Sequence, residues 1–195
     1  MSKKQSVLVT GGCGFIGSHI VDRLIADKSE VVILDNLSTG TIKNLNKSAI
    51  FYQGDVSDKI LVNKIFSQHK FDYVIHQASK INTNALEEDP FHDLRSSVIS
   101  TIILSQNCIT HKVKKLIFAS SVAVYGRSKV LPVAEHGEIN PIYSYGISKQ
   151  TAESYLKYFS NYYDLNFQIL RYANVYGPRR SEERRVGKEC RSRWS

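Results

Sequence analysis

Short apolar runs alternate with longer segments of helical periodicity through most of this chain. A short apolar run with polar neighbours is typical of a strand buried on both faces, whereas apolar residues three and four apart are typical of a helix. The pattern predicts six strands, at Val7–Thr10, Val31–Leu34, Ile50–Gln53, Asp72–Ile75, Lys115–Ala119 and Phe167–Arg171. It predicts helices between them, at Phe15–Asp27, Lys59–Gln68, Phe91–His111 and Tyr143–Tyr163.

Strands that alternate with helices predict an α/β domain, in which a parallel sheet is covered on both faces. Ligands of such sheets bind at the carboxyl ends of the strands. Glycine-rich and polar stretches follow the predicted strands at that edge: Gly11–Gly17, Asp35, Asp55, Gln77–Ser79, Ser120–Ser121 and Tyr172–Asn174. The sequence therefore predicts one domain over residues 1–179, with its binding site at this edge.

A glycine-rich turn joins the first predicted strand to the first helix. Gly12, Gly14 and Gly17 have the G-x-G-x-x-G spacing, and Gly11 begins a second, overlapping pattern. Glycines allow a tight turn and a close approach to a pyrophosphate, which the free N–H groups at the helix start then bind. In a strand–turn–helix context the motif predicts a Rossmann-like, doubly wound dinucleotide-binding fold rather than a turn without a ligand.

Asp35 ends the second predicted strand, 18 residues after Gly17. An acid at about this distance accepts hydrogen bonds from the ribose hydroxyls of an adenosine. A carboxylate repels the 2′-phosphate of NADP, and no arginine follows Asp35 to bind that phosphate. The residue therefore predicts NAD as the cofactor, and the alternative is an acid that only caps the following loop.

Tyr145 and Lys149 lie four residues apart on a predicted helix, which places both side chains on one face. A tyrosine is a poor base at neutral pH, but a lysine ammonium beside it favours the phenolate. Ser121, at the end of the fifth strand, can bind the same substrate oxygen. A tyrosine–lysine pair is common on surfaces, and the dinucleotide fold and the serine make it a catalytic candidate.

The composition of the 195 residues limits the classes of protein to consider. No apolar run is long enough to span a bilayer, and the N-terminus has no signal-peptide apolar region. Cys13, Cys108 and Cys190 show neither metal-ligand spacing nor a disulfide pattern. We therefore expect a cytoplasmic protein with no bound metal ion and no membrane partner.

Residues 180–195 have no apolar period and no turn signal, and they resemble the read-through translation of a common DNA-sequencing adapter. We expect this tail to be non-native, the alternative being a natural basic tail. It holds six of the 26 basic and three of the 18 acidic residues, so residues 1–179 carry +5 of the net charge of +8. No basic stripe with interleaved aromatics accompanies that charge, which indicates a solvated surface and no nucleic-acid partner.

Together these motifs resemble the extended short-chain dehydrogenase/reductases of the NAD-dependent epimerase/dehydratase group, most closely the UDP-glucose 4-epimerases. The resemblance runs almost continuously over residues 7–179. It is carried by Gly11–His19, Asp35–Gly40, Gly54–Val56, Ser120–Ser121, Val124–Gly126, Tyr145, Lys149 and Leu170–Arg179.

The resemblance implies roles for individual residues. Ser121, Tyr145 and Lys149 would be the catalytic residues, and Asn174 would contact the UDP-sugar together with Ser121 and Tyr145. Asp55 and Val56 would contact the adenine. The NAD-contacting set would comprise Gly11, Gly14, Phe15, Ile16, Gly17, Asp35, Asn36, Ser38, Gly40, Asp55, Val56, Gln77, Ala78, Ser79, Ser97, Ser120, Tyr145, Lys149, Tyr172 and Ala173.

The implied reaction is the 4-epimerisation of a UDP-hexose, such as UDP-glucose or UDP-galactose, through a 4-keto sugar beside tightly held NAD. Tyr145 would remove the proton of the sugar 4-hydroxyl, and Ser121 would steady the oxygen. Lys149 would hold the nicotinamide ribose and lower the pKa of Tyr145.

Two neighbouring residues separate this activity from related ones. Dehydratases of the family carry an acidic pair after the strand-end serine or threonine, and decarboxylases carry a glutamate, where this chain has Val122 and Ala123. Those activities, together with the other epimerase and reductase activities of the family, are the alternatives to UDP-hexose 4-epimerisation. Family members also have a C-terminal substrate domain that this chain largely lacks, so a dinucleotide-binding fragment or sensor without turnover is the other alternative.

Two further features follow from the resemblance. Ser97 stands where the family usually has an asparagine near the cofactor, which predicts a weaker hydrogen bond there. An aromatic run with helical spacing predicts packing in the core or in a homodimer, and family members often pair through such helices. The run comprises Tyr155, Tyr158, Phe159, Tyr162 and Tyr163.

Overall fold

The computed structural model describes residues 4–79, 89–128 and 131–180, in which six parallel strands form one sheet. The strand order across the sheet is β3-β2-β1-β4-β5-β6. The strands are β1 Ser6–Thr10, β2 Glu30–Asp35, β3 Ile50–Gln53, β4 Tyr73–His76, β5 Lys115–Ser121 and β6 Phe167–Tyr172. This order and the parallel pairing confirm the doubly wound, Rossmann-like sheet that the alternating pattern predicts.

Helices connect the strands and cover both faces of the sheet. The α-helices are α1 Phe15–Ala26, α2 Lys59–Gln68, α3 Pro90–Asp93, α4 Ser100–Thr110 and α5 Ser144–Tyr163. A π-helical segment, Leu94–Ile99, joins α3 to α4. Short 3₁₀ helices occupy Ile42–Asn44 and Val122–Tyr125.

Successive residues of the central strand β1 point to opposite faces of the sheet, and both faces are buried. Val7 and Val9 pack against α1 through Val21 on one side. Leu8 belongs to the larger core on the other side, which also takes residues from α2, α4 and α5. Burial on both faces explains why the strands are continuous apolar runs rather than alternating ones.

The strand order reverses between β1 and β4, and the loops that follow these two strands diverge there. The glycine-rich turn follows β1, and the segment 77–79 follows β4. In doubly wound sheets this switch point opens the crevice in which ligands bind. The fold therefore brings the two stretches together at the edge where we expect the site.

The predicted elements differ from the observed ones mainly in the helix predicted at Phe91–His111. The structure divides it into α3, the π-helical segment and α4, because one wider turn is inserted before Ser100. The fifth strand extends to Ser121, since its last residues pair with Arg171 and Tyr172 of β6. The boundaries of α2 agree with the prediction, and the Asp58 carboxylate caps it by accepting from the Ile60 and Leu61 N–H groups.

Two kinds of feature are absent from the described residues. None of their helices is long and apolar enough to cross a membrane. They contain no group of three or more histidine, cysteine or acidic side chains arranged to hold a metal ion.

Candidate active site

A cleft of about 570 Å³ opens at the carboxyl edge of the sheet, across the switch point. Residues that follow all six strands line it together with the start of α1 and one face of α5. Of the residues predicted to contact cofactor or substrate, the cleft is lined by Gly11, Gly14, Phe15, Ile16, Gly17, Asp35, Asn36, Ser38, Asp55, Val56, Gln77, Ala78, Ser79, Ser120, Ser121, Tyr145, Lys149, Tyr172, Ala173 and Asn174.

The structure does not bring two of the predicted residues, Gly40 and Ser97, to the cleft. Gly40 packs behind the loop after β2, where an added Cβ would lie 2.9 Å from the carbonyl carbon of Cys13. Ser97 is 1% exposed, and its hydroxyl has no hydrogen-bond partner among the described residues. The π-helical segment instead places Ser96 against the cleft.

Sequence reasoning missed several lining residues whose positions depend on the fold. Thr39, Thr41 and Asn44 belong to the loop after β2, and His92 and Ser96 come from the segment before α4. Val122, Val175, Arg179 and Arg180 lie at the mouth of the cleft. Most of them follow strand ends, which many residues in a doubly wound fold do, and His92 and Ser96 carry no such signal because they lie in helical segments.

The glycines of the turn form a cradle that has no room for side chains. Gly11 has a φ of +70°, and a Cβ on it would lie 2.7 Å from the Ala78 nitrogen. A Cβ on Gly17 would lie 2.1 Å from the Gly11 carbonyl oxygen. A Cβ on Gly14 would have only that same oxygen nearby, at 3.2 Å, so its open side faces the cleft. The cradle fits the close approach that a pyrophosphate requires.

Asp35 holds the loop around this cradle. One of its carboxylate oxygens accepts from the Cys13 N–H at 2.9 Å, and the other accepts from the Leu37 N–H at 2.8 Å. A carboxylate has about four acceptor positions, so two remain for other donors. Asp35 therefore caps the following loop and still lines the cleft, and its contact with a ribose stays a prediction.

Asp55 stands on the neighbouring strand end and is held by its own hydrogen bonds. Its carboxylate accepts from the N–H and hydroxyl groups of Ser57, at 2.8 and 2.7 Å, and from the Asn36 amide at 2.8 Å. Burial acts to raise the pKa of Asp55, but these hydrogen bonds outweigh it and the pKa is lowered. Asp55 is therefore a fixed anion at neutral pH.

Tyr145 and Ser121 meet at the other end of the cleft. Burial raises the pKa of the Tyr145 hydroxyl, and the Asp93 charge also raises it, while hydrogen bonding with Ser79 and Ser121 lowers it. The net direction is upward. Desolvation of the phenolate dominates here. The expectation that Lys149, together with the cationic nicotinamide ring of NAD, lowers the pKa of Tyr145 stays a prediction.

Lys149 is buried beneath Tyr145. Its Nζ donates to the Ala119 carbonyl at 2.8 Å and lies 5.6 Å from the centre of the Tyr145 ring. Burial lowers the pKa of Lys149 to about 7, against the opposing charges of Asp93 and Glu153.

A buried ion pair, which sequence reasoning missed, supports this end of the cleft. Glu153 accepts from the Ser120 hydroxyl at 2.6 Å and from two nitrogens of Arg171, at 3.0 and 2.7 Å. Arg171 also donates to the Tyr125 hydroxyl at 2.7 Å. The available signal was the position of Glu153, one helical turn after Lys149 and hence on the same inward face of α5.

A second buried network joins β1, β4 and α4 through His76. Its Nδ1 lies 2.7 Å from the Thr10 hydroxyl, and its Nε2 lies 2.9 Å from the Ser100 hydroxyl. Ser100 donates to the Ser96 carbonyl, so it must accept from Nε2–H, and Nδ1 then accepts from Thr10. Burial lowers the pKa of His76 to about 3, consistent with a neutral ring in this single tautomer.

Comparisons with known proteins agree with this geometry. The NAD dependent epimerase/dehydratase family matches residues 7–191. The matched range extends beyond Arg179 into the tail of residues 180–195. Residues 181–195 lie outside the described part of the structure, and the non-native origin of the tail stays a prediction. A protein of Methanocaldococcus jannaschii, provisionally named a UDP-glucose 4-epimerase, is 44% identical over 182 residues, which are 93% of this chain and 59% of that protein.

Two solved structures share the fold closely. The UDP-glucose 4-epimerase of Thermotoga maritima, solved with UDP-glucose, has a TM-score of 0.88 and 41% identity over 92% of this chain. That of Thermus thermophilus, solved with NAD, has a TM-score of 0.86 and 39% identity, also over 92%. This chain covers 59% and 58% of the two structures. The chain belongs to the NAD-dependent epimerase/dehydratase family.

Proposed function

We propose that this chain is the NAD-binding and catalytic part of a UDP-hexose 4-epimerase. One observation carries the proposal: Ser121, Tyr145 and Lys149 line one end of the cleft whose other end is the glycine cradle beside Asp35. The resemblance to epimerases solved with UDP-glucose or NAD supports it. Because the chain spans only 59% of these relatives' length, turnover by this chain is part of the proposal.

The residues present fit an NAD molecule laid along the cleft. The glycine cradle and the start of α1 would bind the diphosphate, Asp35 would accept from the adenosine ribose, and Asp55 and Val56 would border the adenine. Lys149 would bind the nicotinamide ribose. When bound, NAD supplies the hydride acceptor that oxidation of a sugar hydroxyl requires, and its reduced form returns the hydride.

Side chains of this chain would accept the proton of the sugar hydroxyl and later return it. Tyr145 would accept the proton of the sugar 4-hydroxyl and return it after the 4-keto sugar has turned over, with Ser121 hydrogen-bonded to the same oxygen. Burial keeps Tyr145 protonated at neutral pH, so its activation needs positive charge nearby. A fully protonated Lys149 would supply part of that charge.

The residues beyond Ser121 support epimerisation over elimination. Val122 lines the cleft and Ala123 follows it, and neither side chain can give a proton to a leaving hydroxyl. Asn174, on the segment after β6, would contact the UDP-sugar. We propose UDP-glucose and UDP-galactose as the substrate pair.

Two further expectations, a homodimer and a cytoplasmic location, remain proposals. On α5, Tyr155, Tyr158, Tyr162 and Tyr163 are exposed, and this aromatic face supports pairing of two chains as a homodimer. The buried thiols of Cys13 and Cys108 are free, which supports a reducing compartment such as the cytoplasm.

Titration with NAD by calorimetry tests the cofactor part of the proposal. The wild type should bind NAD and bind NADP more weakly, and Asp35→Ala should abolish NAD binding. Asp58→Ala, which removes an acid that caps α2 outside the cleft, is the matched control and should bind normally. A folded wild type that gives no heat with NAD would refute the proposal.

The catalytic part is tested by incubating the chain with NAD and UDP-galactose and measuring UDP-glucose. Tyr145→Phe should lower the rate by at least about 100-fold, since the proton acceptor is lost. Tyr143→Phe removes a hydroxyl outside the cleft, two residues away, and should keep the wild-type rate. NAD binding without turnover by the wild type would instead support the dinucleotide-binding fragment.

A further inference from the structure

The segment that follows β6 runs along α1, and we call residues 175–179 the α1 strap. Gly177 lies beside the Phe15 ring, 3.8 Å from where its Cβ would be. The Pro178 carbonyl accepts from His19 Nε2 at 3.0 Å, and Arg179 Nη1 donates to Asp22 at 2.7 Å. Three successive residues of the strap therefore contact three successive turns of α1, beginning at the turn that forms the cradle.

Arg179 is held so that one edge of its guanidinium remains available. Asp22 pairs with Nη1, and the same Asp22 carboxylate accepts from the Asn46 amide at 2.7 Å. Hydrogen bonds from Asn46 and Arg179 lower the pKa of Asp22, so the carboxylate stays charged. Arg179 also lines the cleft, and its side chain is 34% exposed. A guanidinium offers five N–H donors in a planar fork, so pairing with Asp22 leaves donors on the cleft side.

The charge distribution in the cleft makes this cation significant. The cradle offers only backbone N–H groups, and the acids Asp35 and Asp55 border the same end of the cleft. Lys149 belongs to the catalytic end, where it is bound to the Ala119 carbonyl. A dianionic diphosphate on the cradle would therefore lack a charged partner unless the strap provides one, and a guanidinium is the side chain best suited to bind two phosphate oxygens at once.

We propose that Arg179 is a diphosphate ligand, carried to the cradle by the α1 strap and oriented by Asp22. The proposal rests on the proposed function, since it takes the diphosphate to be that of NAD. Arg180 also lines the cleft, but its Nη1 donates to the Val175 carbonyl, whereas Nη1 of Arg179 is fixed to α1 by Asp22, so the proposal names Arg179. A purely structural strap is the competing explanation, and it predicts no preference for phosphate-containing ligands.

The test compares ligands with and without a diphosphate. ADP and NAD are titrated by calorimetry, and adenosine binding is followed by ligand-observed NMR because so small a ligand binds weakly. Arg179→Gln should weaken ADP and NAD binding about tenfold, the loss of one charge-assisted hydrogen bond, and change adenosine binding less than twofold. Arg23→Gln, which removes an exposed arginine of α1 outside the cleft, should change none of the three.

The possible results distinguish a diphosphate-binding Arg179 from a purely structural strap. Unchanged ADP affinity in Arg179→Gln, or an equal loss for adenosine and ADP, would overturn the diphosphate contact. If Arg179→Gln does not fold, Arg179→Lys keeps the charge without the fork and should weaken ADP binding by a smaller factor. Asp22→Asn should weaken ADP binding several-fold, and tighter binding would overturn the orienting role of Asp22. A wild type that binds neither ADP nor NAD would refute the proposed function itself.

Discussion

The two ends of the cleft are built by different means. The cradle end is made of backbone: Gly11, Gly14 and Gly17 act through the side chains that they lack, and Asp35 ties their loop down with hydrogen bonds to N–H groups. The catalytic end is made of buried side chains that neutralise or solvate one another: Tyr145, Lys149, Glu153, Arg171 and Ser120. Added side-chain volume should therefore impair the stability or ligand binding of the cradle end. Removal of a charge or a change of pH should instead destabilise the catalytic end.

The largest effect is expected from breaking the buried ion pair of the catalytic end. Glu153→Ala should lower the free energy of unfolding by about 3–5 kcal/mol, because the Arg171 guanidinium and the Ser120 hydroxyl lose their common partner. Urea denaturation measures the change. Asp27→Ala, which breaks the exposed pair with Arg23, should cost less than about 1 kcal/mol. Equal costs for both variants would show that burial does not distinguish these pairs.

Two single glycine-to-alanine variants at the cradle end distinguish a steric effect on the fold from a steric effect on ligand binding. Gly17→Ala should lower the free energy of unfolding by about 1–3 kcal/mol, because its Cβ would collide with the Gly11 carbonyl oxygen. Gly14→Ala should cost much less, since its Cβ would point into the open cleft, yet it should weaken NAD binding about tenfold or more by blocking the diphosphate. Thermal denaturation and calorimetry on both variants test this, and stability loss in Gly14→Ala alone would contradict it.

The pH dependence of stability should report the buried lysine of the catalytic end. The pKa of Lys149 is about 7 in the folded chain and near 10.5 when unfolded, so the unfolded state binds more protons between these values. Stability therefore rises with pH across this window, by at most about 1.4 kcal/mol per pH unit from this residue. Below about pH 7 the full cost of burying the ammonium is present.

Variants isolate this contribution from that of the groups around it, Asp93, Glu153, Tyr145 and His76. The rise in stability from pH 7 to pH 9, measured by urea denaturation, should be smaller in Lys149→Met. Lys157→Met, on the exposed side of the same helix, should keep the wild-type slope. An unchanged slope in Lys149→Met would mean that Lys149 stays protonated in the folded chain.

The smallest effect is expected at Ser97, which belongs to neither end of the cleft. Its buried hydroxyl has no partner in the described structure, so Ser97→Ala should leave stability unchanged or raise it by up to about 1 kcal/mol. NAD affinity should also be unchanged, because Ser97 does not line the cleft. Thermal denaturation and calorimetry measure the two quantities, and a clear loss of NAD affinity would restore Ser97 to the cofactor site.

Prediction from sequence worked best where one element contains the whole signal. The glycine turn, the acid at the end of β2 and the four-residue spacing of Tyr145 and Lys149 are all local, and the fold places them on the cleft. Ser97 belongs to a π-helical segment that the sequence pattern did not reveal, and this segment places Ser96 rather than Ser97 against the cleft. Burial raises the pKa of Tyr145, an effect that the four-residue spacing of Tyr145 and Lys149 does not reveal.

By itself the sequence determined the alternation of strands and helices, the glycine cradle and the catalytic face of α5, because periodicity and short spacings depend only on neighbours along the chain. Tertiary structure decided which distant residues became partners. Thr10 and His76 are 66 residues apart, Ser120 and Glu153 are 33 apart, and His19 and Pro178 are 159 apart. Such contacts arise only when the sheet is assembled, and burial there, rather than residue type, sets the charge of Lys149 and His76.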